Sequence, residues 1–201
     1  MRYWQCPEGN VISVASRQPT VVPTGMASNP STAPHLFDRA LLRARMDRAR
    51  RAGPVTFLLD RVVEDLEERL QAVTRDFSAV AEIWTPGELL REPLADRFQL
   101  ITRIDPDDTE TLPLQPESLD LAISALAFQF VNDLPGVLAQ IRRALKPDGL
   151  LLAAMIGGDT LTELRQSFAA AEAECEAGVS PRVAPFADLR DVGALLQRAG
   201  T

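Results

Sequence analysis

Residues 119–158 read LDLAISALAFQFVNDLPGVLAQIRRALKPDGLLLAAMIGG and decide the fold. The runs at 119–128 and 149–158 are almost wholly apolar, which is typical of strands buried on both faces of a parallel sheet. Between them, Asp133 can cap a helix with apolar residues at three- and four-residue spacing, and KPDG (146–149) ends it. Strand, helix, turn and strand in this order form a parallel crossover unit, so the sequence predicts an α/β fold.

Two helices are predicted ahead of the sheet, at about 36–52 and 55–75. The first is rich in arginine and ends at Gly53-Pro54, and the second carries one apolar stripe. The stretch before them is rich in Pro, Ser and Thr without any apolar period, which predicts disorder. We therefore expect a disordered tail at 1–34, an N-terminal helical segment at 35–76 and a sheet domain at 77–201.

The remaining elements flank the crossover unit on both sides. Short apolar runs predict two earlier strands, and capping residues predict two later helices, the first of them opened by a capping-box pair, Thr160 and Glu163. The expected elements are strands at 79–84 and 98–104, a turn at 86–87, a brief helix at 88–95, a loop at 105–118, and helices at 160–177 and 186–200.

Composition excludes several classes of function. The net charge of −7 argues against nucleic-acid binding, which needs a basic face. One histidine, His35, and two isolated cysteines, Cys6 and Cys175, leave no zinc site and no Ser/His/Asp triad. No apolar run is long enough to span a membrane. We expect a bacterial, cytoplasmic protein without a metal.

The arginines of the first helix, at 36–52, allow two interpretations. The simpler one is a solvated helix face. The other is a docking surface for an acidic partner or an anionic membrane.

Ligands of open parallel sheets bind beyond the carboxyl ends of the strands. Three segments meet this condition: the loop after Trp84, the acidic loop 105–110 and the stretch 124–132, with Gly157-Gly158-Asp159 beside them. A nucleotide or adenosyl ligand needs a glycine turn, a carboxylate for the ribose hydroxyls and a polar group for the base. These segments supply four carboxylates, Glu82, Asp105, Asp107 and Asp108, but the loop after Trp84 offers only one glycine, Gly87. A plain turn and a solvated acidic loop explain these residues equally well.

Four motifs nevertheless carry a family resemblance: LFDRALLRAR (36–45), VNDLPG followed by KPDG (131–149), GGDTLTELR (157–165) and SPRVAPF (180–186). In this order they resemble the class I, type 11 S-adenosylmethionine-dependent methyltransferases. More narrowly, they resemble the subgroup that includes the complex I assembly factor with a methyltransferase fold and its bacterial relatives. The malonyl-acyl-carrier-protein methyltransferase of biotin synthesis is a more distant relative. The resemblance implies a Rossmann-like sheet, S-adenosylmethionine as cofactor and methyl transfer to an unknown acceptor.

The resemblance also implies roles for particular residues. Glu82 matches the acid that ends the first strand, Gly87 lies in the glycine loop, and Asp108 matches the acid that contacts adenine. Asp105 is a stand-in for the ribose-binding acid. The cofactor wall is then formed by Ser124, Ala125 and Leu126, and the substrate wall by Gln129, Gly158 and Asp159. No catalytic residue is assigned.

The chain departs from the family pattern in its glycine loop and in its length. EIWTPGE (82–88) replaces D-L-G-x-G-x-G, so that Trp84 stands where the first glycine belongs, and Gln129-Phe130 replaces His-Trp. The interval 84–112 is short for a strand, a helix and a third strand. We therefore expect an incomplete sheet, shortened after its first strand and lacking its last two, whose edge at 149–157 is unprotected. Such an edge predicts homo-oligomers or a truncated product.

Three functions follow as alternatives. The first is methyl transfer by positioning the cofactor and the acceptor. The second is a non-catalytic or repurposed assembly factor for a respiratory-chain complex, which docks through the Arg-rich helix at 36–52. The third is an inactive truncated relative.

Overall fold

The structure is a computed structural model that describes residues 35–87, 97–98, 100–175, 178 and 180–200. The chain divides into two compact units. Of the described residues, 35–160 and 184–200 belong to one unit, and those between 161 and 183 belong to the other. The predicted tail at 1–34 and brief helix at 88–95 lie outside the described residues, and the predicted domain boundaries stay predictions.

Four parallel strands form the sheet of the larger unit, in the order β2-β1-β3-β4. The strands are β1 (Val80–Ile83), β2 (Ile101–Ile104), β3 (Leu119–Ala125) and β4 (Leu145–Ala154). All of β1 and six of the seven residues of β3 are buried, as the central strands of a sheet covered on both faces must be. The predicted α/β fold is confirmed.

Helix α2 (Phe57–Gln71) packs on one face of this sheet, and α3 (Leu134–Ala144) and α5 (Leu189–Ala199) lie on the other face. Helix α1 (Arg39–Ala52) precedes them and has no buried residue. The buried stripe of α2 joins Val80, Leu121 and Ile123 in one core cluster. The inner face of α3 joins Ala81, Ile83 and Ala122 in a second cluster, and these residues alternate along the strands with those of the first. No helix of the described residues is long and apolar enough to cross a membrane.

The smaller unit contains one described helix, α4 (Thr162–Cys175). Near its end, the carboxylate of Glu172 accepts a hydrogen bond from Ser180 N at 2.7 Å and pairs with Arg182. These contacts, the Ser180 N–H first, lower the pKa of Glu172. They fasten the loop after α4 to the helix.

The starts of three helices differ from their predictions, and α5 begins at Leu189 rather than at residue 186 because Asp188 caps it. Helix α1 begins at Arg39 rather than Leu36, because Asp38 accepts a hydrogen bond from Leu41 N at 2.9 Å and so caps the helix. Helix α4 begins at Thr162, so the residue preceding it is Leu161 and the predicted cap at Thr160 is wrong.

The strands also differ in extent from their predictions. Strand β3 ends at Ala125, and Phe128 belongs to a short 3-10 helix (Phe128–Phe130). Strand β4 starts at Leu145, so KPDG opens the strand and is not a separate turn. Strand β2 starts at Ile101 rather than Phe98, whose ring packs edge-on against Phe77 at 6.0 Å.

Asp120 fastens the amino end of the sheet. Its carboxylate lies 2.9 Å from Lys146 Nζ and accepts hydrogen bonds from the Ser78 hydroxyl at 2.9 Å and Ala79 N at 3.0 Å. Lys146, followed by the Ser78 and Ala79 donors, holds the pKa of Asp120 well below its usual range. The candidate site lies at the opposite, carboxyl end of the sheet.

Candidate functional site

The candidate site lies where the chain order of the strands reverses. From β1 the chain passes to β2 on one side and then to β3 on the other, so the carboxyl ends of β1 and β3 form a topological switch point. Trp84 directly follows β1, Asp105 follows β2 and Leu126 follows β3. Ligands of open α/β sheets bind at this position.

Trp84 fills the centre of the switch point. Its φ of 59° lies in the left-handed region, which glycine adopts without strain. The side chain is only 5% exposed, and its ring packs edge-on against Phe128 at 6.4 Å between centroids. The Arg39 guanidinium lies 6.0 Å from the ring centre. The indole therefore occupies the place where a bound ligand needs close access to the backbone.

Arg103 of β2 binds the two carboxylates that flank the end of β1. Its guanidinium lies 3.2 Å from Glu82 Oε1 and 2.9 Å from Asp105 Oδ1. It also donates hydrogen bonds to the carbonyls of Thr85 at 3.0 Å and Gly87 at 2.5 Å. Both acids and the loop after Trp84 are thus held by one cation, which competes with any ribose hydroxyl for Glu82 and Asp105.

Arg39 of helix α1 and Glu110, in the loop that follows β2, connect α1 to the site. Arg39 donates hydrogen bonds to the carbonyls of Phe130 at 3.2 Å and Asp107 at 3.0 Å, and its guanidinium lies 3.4 Å from Glu110 Oε1. Glu110 is 7% exposed and accepts hydrogen bonds from Asn132 N at 2.9 Å and Asp133 N at 2.8 Å. These contacts tie α1 to the loops that follow β2 and β3.

A cavity of about 130 Å³ lies at the switch point. It is bounded by α1, Trp84, Leu126 and the loop at 106–108. Sites for drug-sized ligands and cofactors occupy roughly 300–1,000 Å³. With the indole in place and both acids paired with Arg103, this cavity is smaller than a ligand of the size of S-adenosylmethionine needs.

The structure brings only some of the predicted cofactor residues to this cavity. Asp108, which pairs with Arg43, and Leu126 line it. Glu82, Gly87 and Asp105 meet at Arg103 instead.

The other predicted residues lie deeper or elsewhere. Ser124 and Ala125 are fully buried in β3, where Ala125 N donates to Thr85 Oγ1 at 3.0 Å. Gln129 is buried in the 3-10 helix and donates to Leu126 O at 2.7 Å. Gly158 and Asp159 line a separate cleft beside the start of α5, so the structure does not bring the predicted substrate wall together.

Sequence reasoning did not assign Arg39, Arg103 or Glu110 to the site. Arg39 is one of six arginines in α1, and nothing in the sequence distinguishes it from the others. Arg103 has a local signal, because Asp105 follows it by two residues, directly after the strand, and the two side chains pair at 2.9 Å. Glu110 contacts residues more than twenty positions away, which no local pattern reveals.

A parallel sheet with a crossover unit and a site at its switch point is the architecture of the class I methyltransferases, and this chain has a methyltransferase-like fold. A family model described as a methyltransferase domain matches residues 88–153. The chain is 36% identical to the mitochondrial arginine-hydroxylase NDUFAF5 of Mus musculus, over 94% of this chain and 63% of that protein. It is 44% identical to the malonyl-[acyl-carrier protein] O-methyltransferase of Gallionella capsiferriformans, over 46% of this chain and 30% of that protein.

Solved structures agree on the fold. The YcgJ protein of Bacillus subtilis superposes with a TM-score of 0.51 at 14% identity, over 68% of this chain and 67% of that one. A phosphoethanolamine N-methyltransferase of Haemonchus contortus, solved with S-adenosyl-L-methionine, gives a TM-score of 0.51 at 17% identity, over 70% of this chain and 36% of that one. The resemblance inferred from the four motifs is confirmed, and the chain spans under two thirds of the length of the NDUFAF5 proteins.

Proposed function

We propose that this methyltransferase-like chain does not hold a cofactor at its switch point and acts as a non-catalytic assembly factor for a respiratory-chain complex. The observation that carries the proposal is Trp84, a buried indole at a backbone position that favours glycine. The ion pairs of Arg103 support it, because they engage the carboxylates that a ribose needs. The four sequence motifs that resemble the complex I assembly factor supply the class of partner.

Methyl transfer to a small molecule or a protein is the second candidate. The match to the methyltransferase model favours it, as does the fold shared with an enzyme solved with S-adenosyl-L-methionine. Enzymes of this fold work by holding the methyl donor and the acceptor in line, so they need no nucleophile from the protein. On this chain the indole of Trp84 would first have to leave the switch point.

Isothermal titration of the full chain with S-adenosylmethionine and S-adenosylhomocysteine separates the two functions. We expect no binding heat up to millimolar ligand from protein whose circular dichroism shows a folded state. Micromolar binding of either ligand contradicts the non-catalytic proposal and supports methyl transfer.

The binding of an acidic protein partner to the Arg-rich helix at 36–52 stays a prediction. The cytoplasmic location likewise stays a prediction, since the relatives are named mitochondrial. The bacterial source is also untested.

Among the residues that the structure describes, β4 is the outermost strand on its side of the sheet, and this edge predicts self-association. This strand is last in the sheet order and borders an apolar groove of about 830 Å³ between α2, α3 and α5. Free edges pair readily with other chains, so we expect dimers at tens of micromolar protein in sedimentation velocity. A lysine at exposed Ala153 of β4 should shift the chain to monomers, whereas a lysine at exposed Ala139 of α3 should not. A chain that is monomeric at all concentrations contradicts the prediction.

A further inference from the structure

We propose that the corner between α1 and α2, residues 48–58, docks on an anionic lipid surface. The corner carries apolar side chains that water surrounds: Val55 is 81% exposed, Phe57 73% and Leu58 43%. They follow a tight turn at Gly53, whose φ is 91°. A group of large, exposed apolar side chains at a turn indicates a surface that binds a membrane or another protein.

The side chains of the corner point away from the core. In α2 the buried side chains Leu59, Val63, Leu66 and Leu70 form the stripe that packs towards the sheet. Phe57 and Leu58 precede this stripe and are exposed, together with Arg61. Packing of the core therefore does not explain why positions 57 and 58 are apolar.

Arginine surrounds the corner. Residues 43–61 contain six arginines and two aspartates, a net charge of +4 in a chain whose total is −7. Arg45, Arg48 and Arg51 follow one another at three-residue steps along α1 and are exposed. Within the described part of the chain, the ion pairs of α1 involve other arginines and leave these three guanidinium groups to solvent. Guanidinium groups bind phosphate oxygens with paired hydrogen bonds, so this stripe matches anionic headgroups.

The shape of the corner favours a lipid surface over an acidic protein. Val55 and Phe57 are 81% and 73% exposed at the turn between two helices, so their side chains protrude from the surface. A convex apolar tip with a basic collar can enter the headgroup region of a bilayer, where stable attachment takes both apolar and electrostatic contributions. An acidic protein would need a concave face to bury the same tip.

Co-sedimentation of the full chain with vesicles tests the proposal. We expect binding to phosphatidylcholine vesicles that contain about a third phosphatidylglycerol, and much weaker binding to pure phosphatidylcholine. The double variant Arg48→Glu/Arg51→Glu should lower the vesicle-bound fraction at least about tenfold, because it reverses two of the positive charges that attract an anionic surface. The matched control is Arg190→Glu/Arg198→Glu, which makes the same charge change on exposed positions of α5 and should keep binding.

A second double variant distinguishes insertion of the apolar side chains into the bilayer from electrostatic attraction between the arginines and the lipid headgroups. Val55→Ser/Phe57→Ser keeps every arginine and alters only exposed side chains, so it should fold and yet bind anionic vesicles several-fold more weakly. Equal binding by this variant overturns the lipid proposal. So does capture of the chain by an acidic polypeptide such as polyglutamate when anionic vesicles bind nothing.

Discussion

Replacing Trp84 with glycine is expected to open the switch point to S-adenosylhomocysteine. The change removes a buried indole from the centre of the site, and glycine adopts the φ of 59° without the strain that a side chain brings. We expect isothermal titration to show affinity at least about tenfold higher than for the wild-type chain, or ~1.4 kcal/mol. The cavity beside Trp84, with Leu126 and Asp108, then becomes continuous with the space that the ring leaves.

The Trp84→Gly variant will also be less stable, which the measurement must take into account. Removing a buried aromatic side chain costs about 3–5 kcal/mol, offset by about 1 kcal/mol of backbone strain that glycine relieves. Trp84→Phe is the matched control, because it keeps an aromatic ring in the site and should leave binding unchanged. If the folded glycine variant still binds nothing, the ion pairs of Arg103 close the site without help from the indole.

The second large effect is expected at Glu110, where alanine should lower the free energy of unfolding by about 3–5 kcal/mol. The carboxylate satisfies two backbone N–H groups, of Asn132 and Asp133, and faces Arg39, whose side chain is only 15% exposed. Without this carboxylate, the Arg39 guanidinium loses its counter-charge and the two backbone N–H groups lose their hydrogen-bond acceptor, all in a mostly buried position. Urea unfolding followed by circular dichroism measures the loss.

A glutamine at position 110 provides the comparison. Its amide oxygen can still accept one of the two backbone hydrogen bonds but offers no charge to Arg39, so about half the loss is expected. An alanine variant within about 1 kcal/mol of the wild-type chain would mean that water replaces the carboxylate, and that Glu110 does not hold α1 to the loops.

The architecture could be predicted from the sequence where it depends on local patterns. The stretch 119–158 shows its strand–helix–strand order through uninterrupted apolar runs and the Asp133 cap, whose carboxylate accepts from Gly136 N at 2.9 Å. The apolar stripe of α2 identified its buried face for the same reason, and Leu66 and Leu70 are among the most buried residues. Periodicity of this kind needs no knowledge of distant contacts.

The site could be predicted only in part, because its decisive contacts join distant segments. Trp84 was recognisable as a misplaced side chain in a glycine loop. The hydrogen bond from Arg39 to Phe130 O spans 91 positions and the pair of Arg103 with Glu82 spans 21, and neither leaves a local pattern. Carboxylates that look available in the sequence, such as Glu82, are bound to cations in the fold.

The left-handed backbone at Trp84 bears on how the protein can change over generations. Tryptophan has a single codon, TGG, and one base substitution converts it to GGG, a glycine codon. Because the main chain already has a φ of 59° there, glycine could take this position without a shift of the loop. A single nucleotide substitution therefore separates the site closed by Trp84 from a site with glycine at position 84. The sheet around position 84 would not have to change for this substitution to occur.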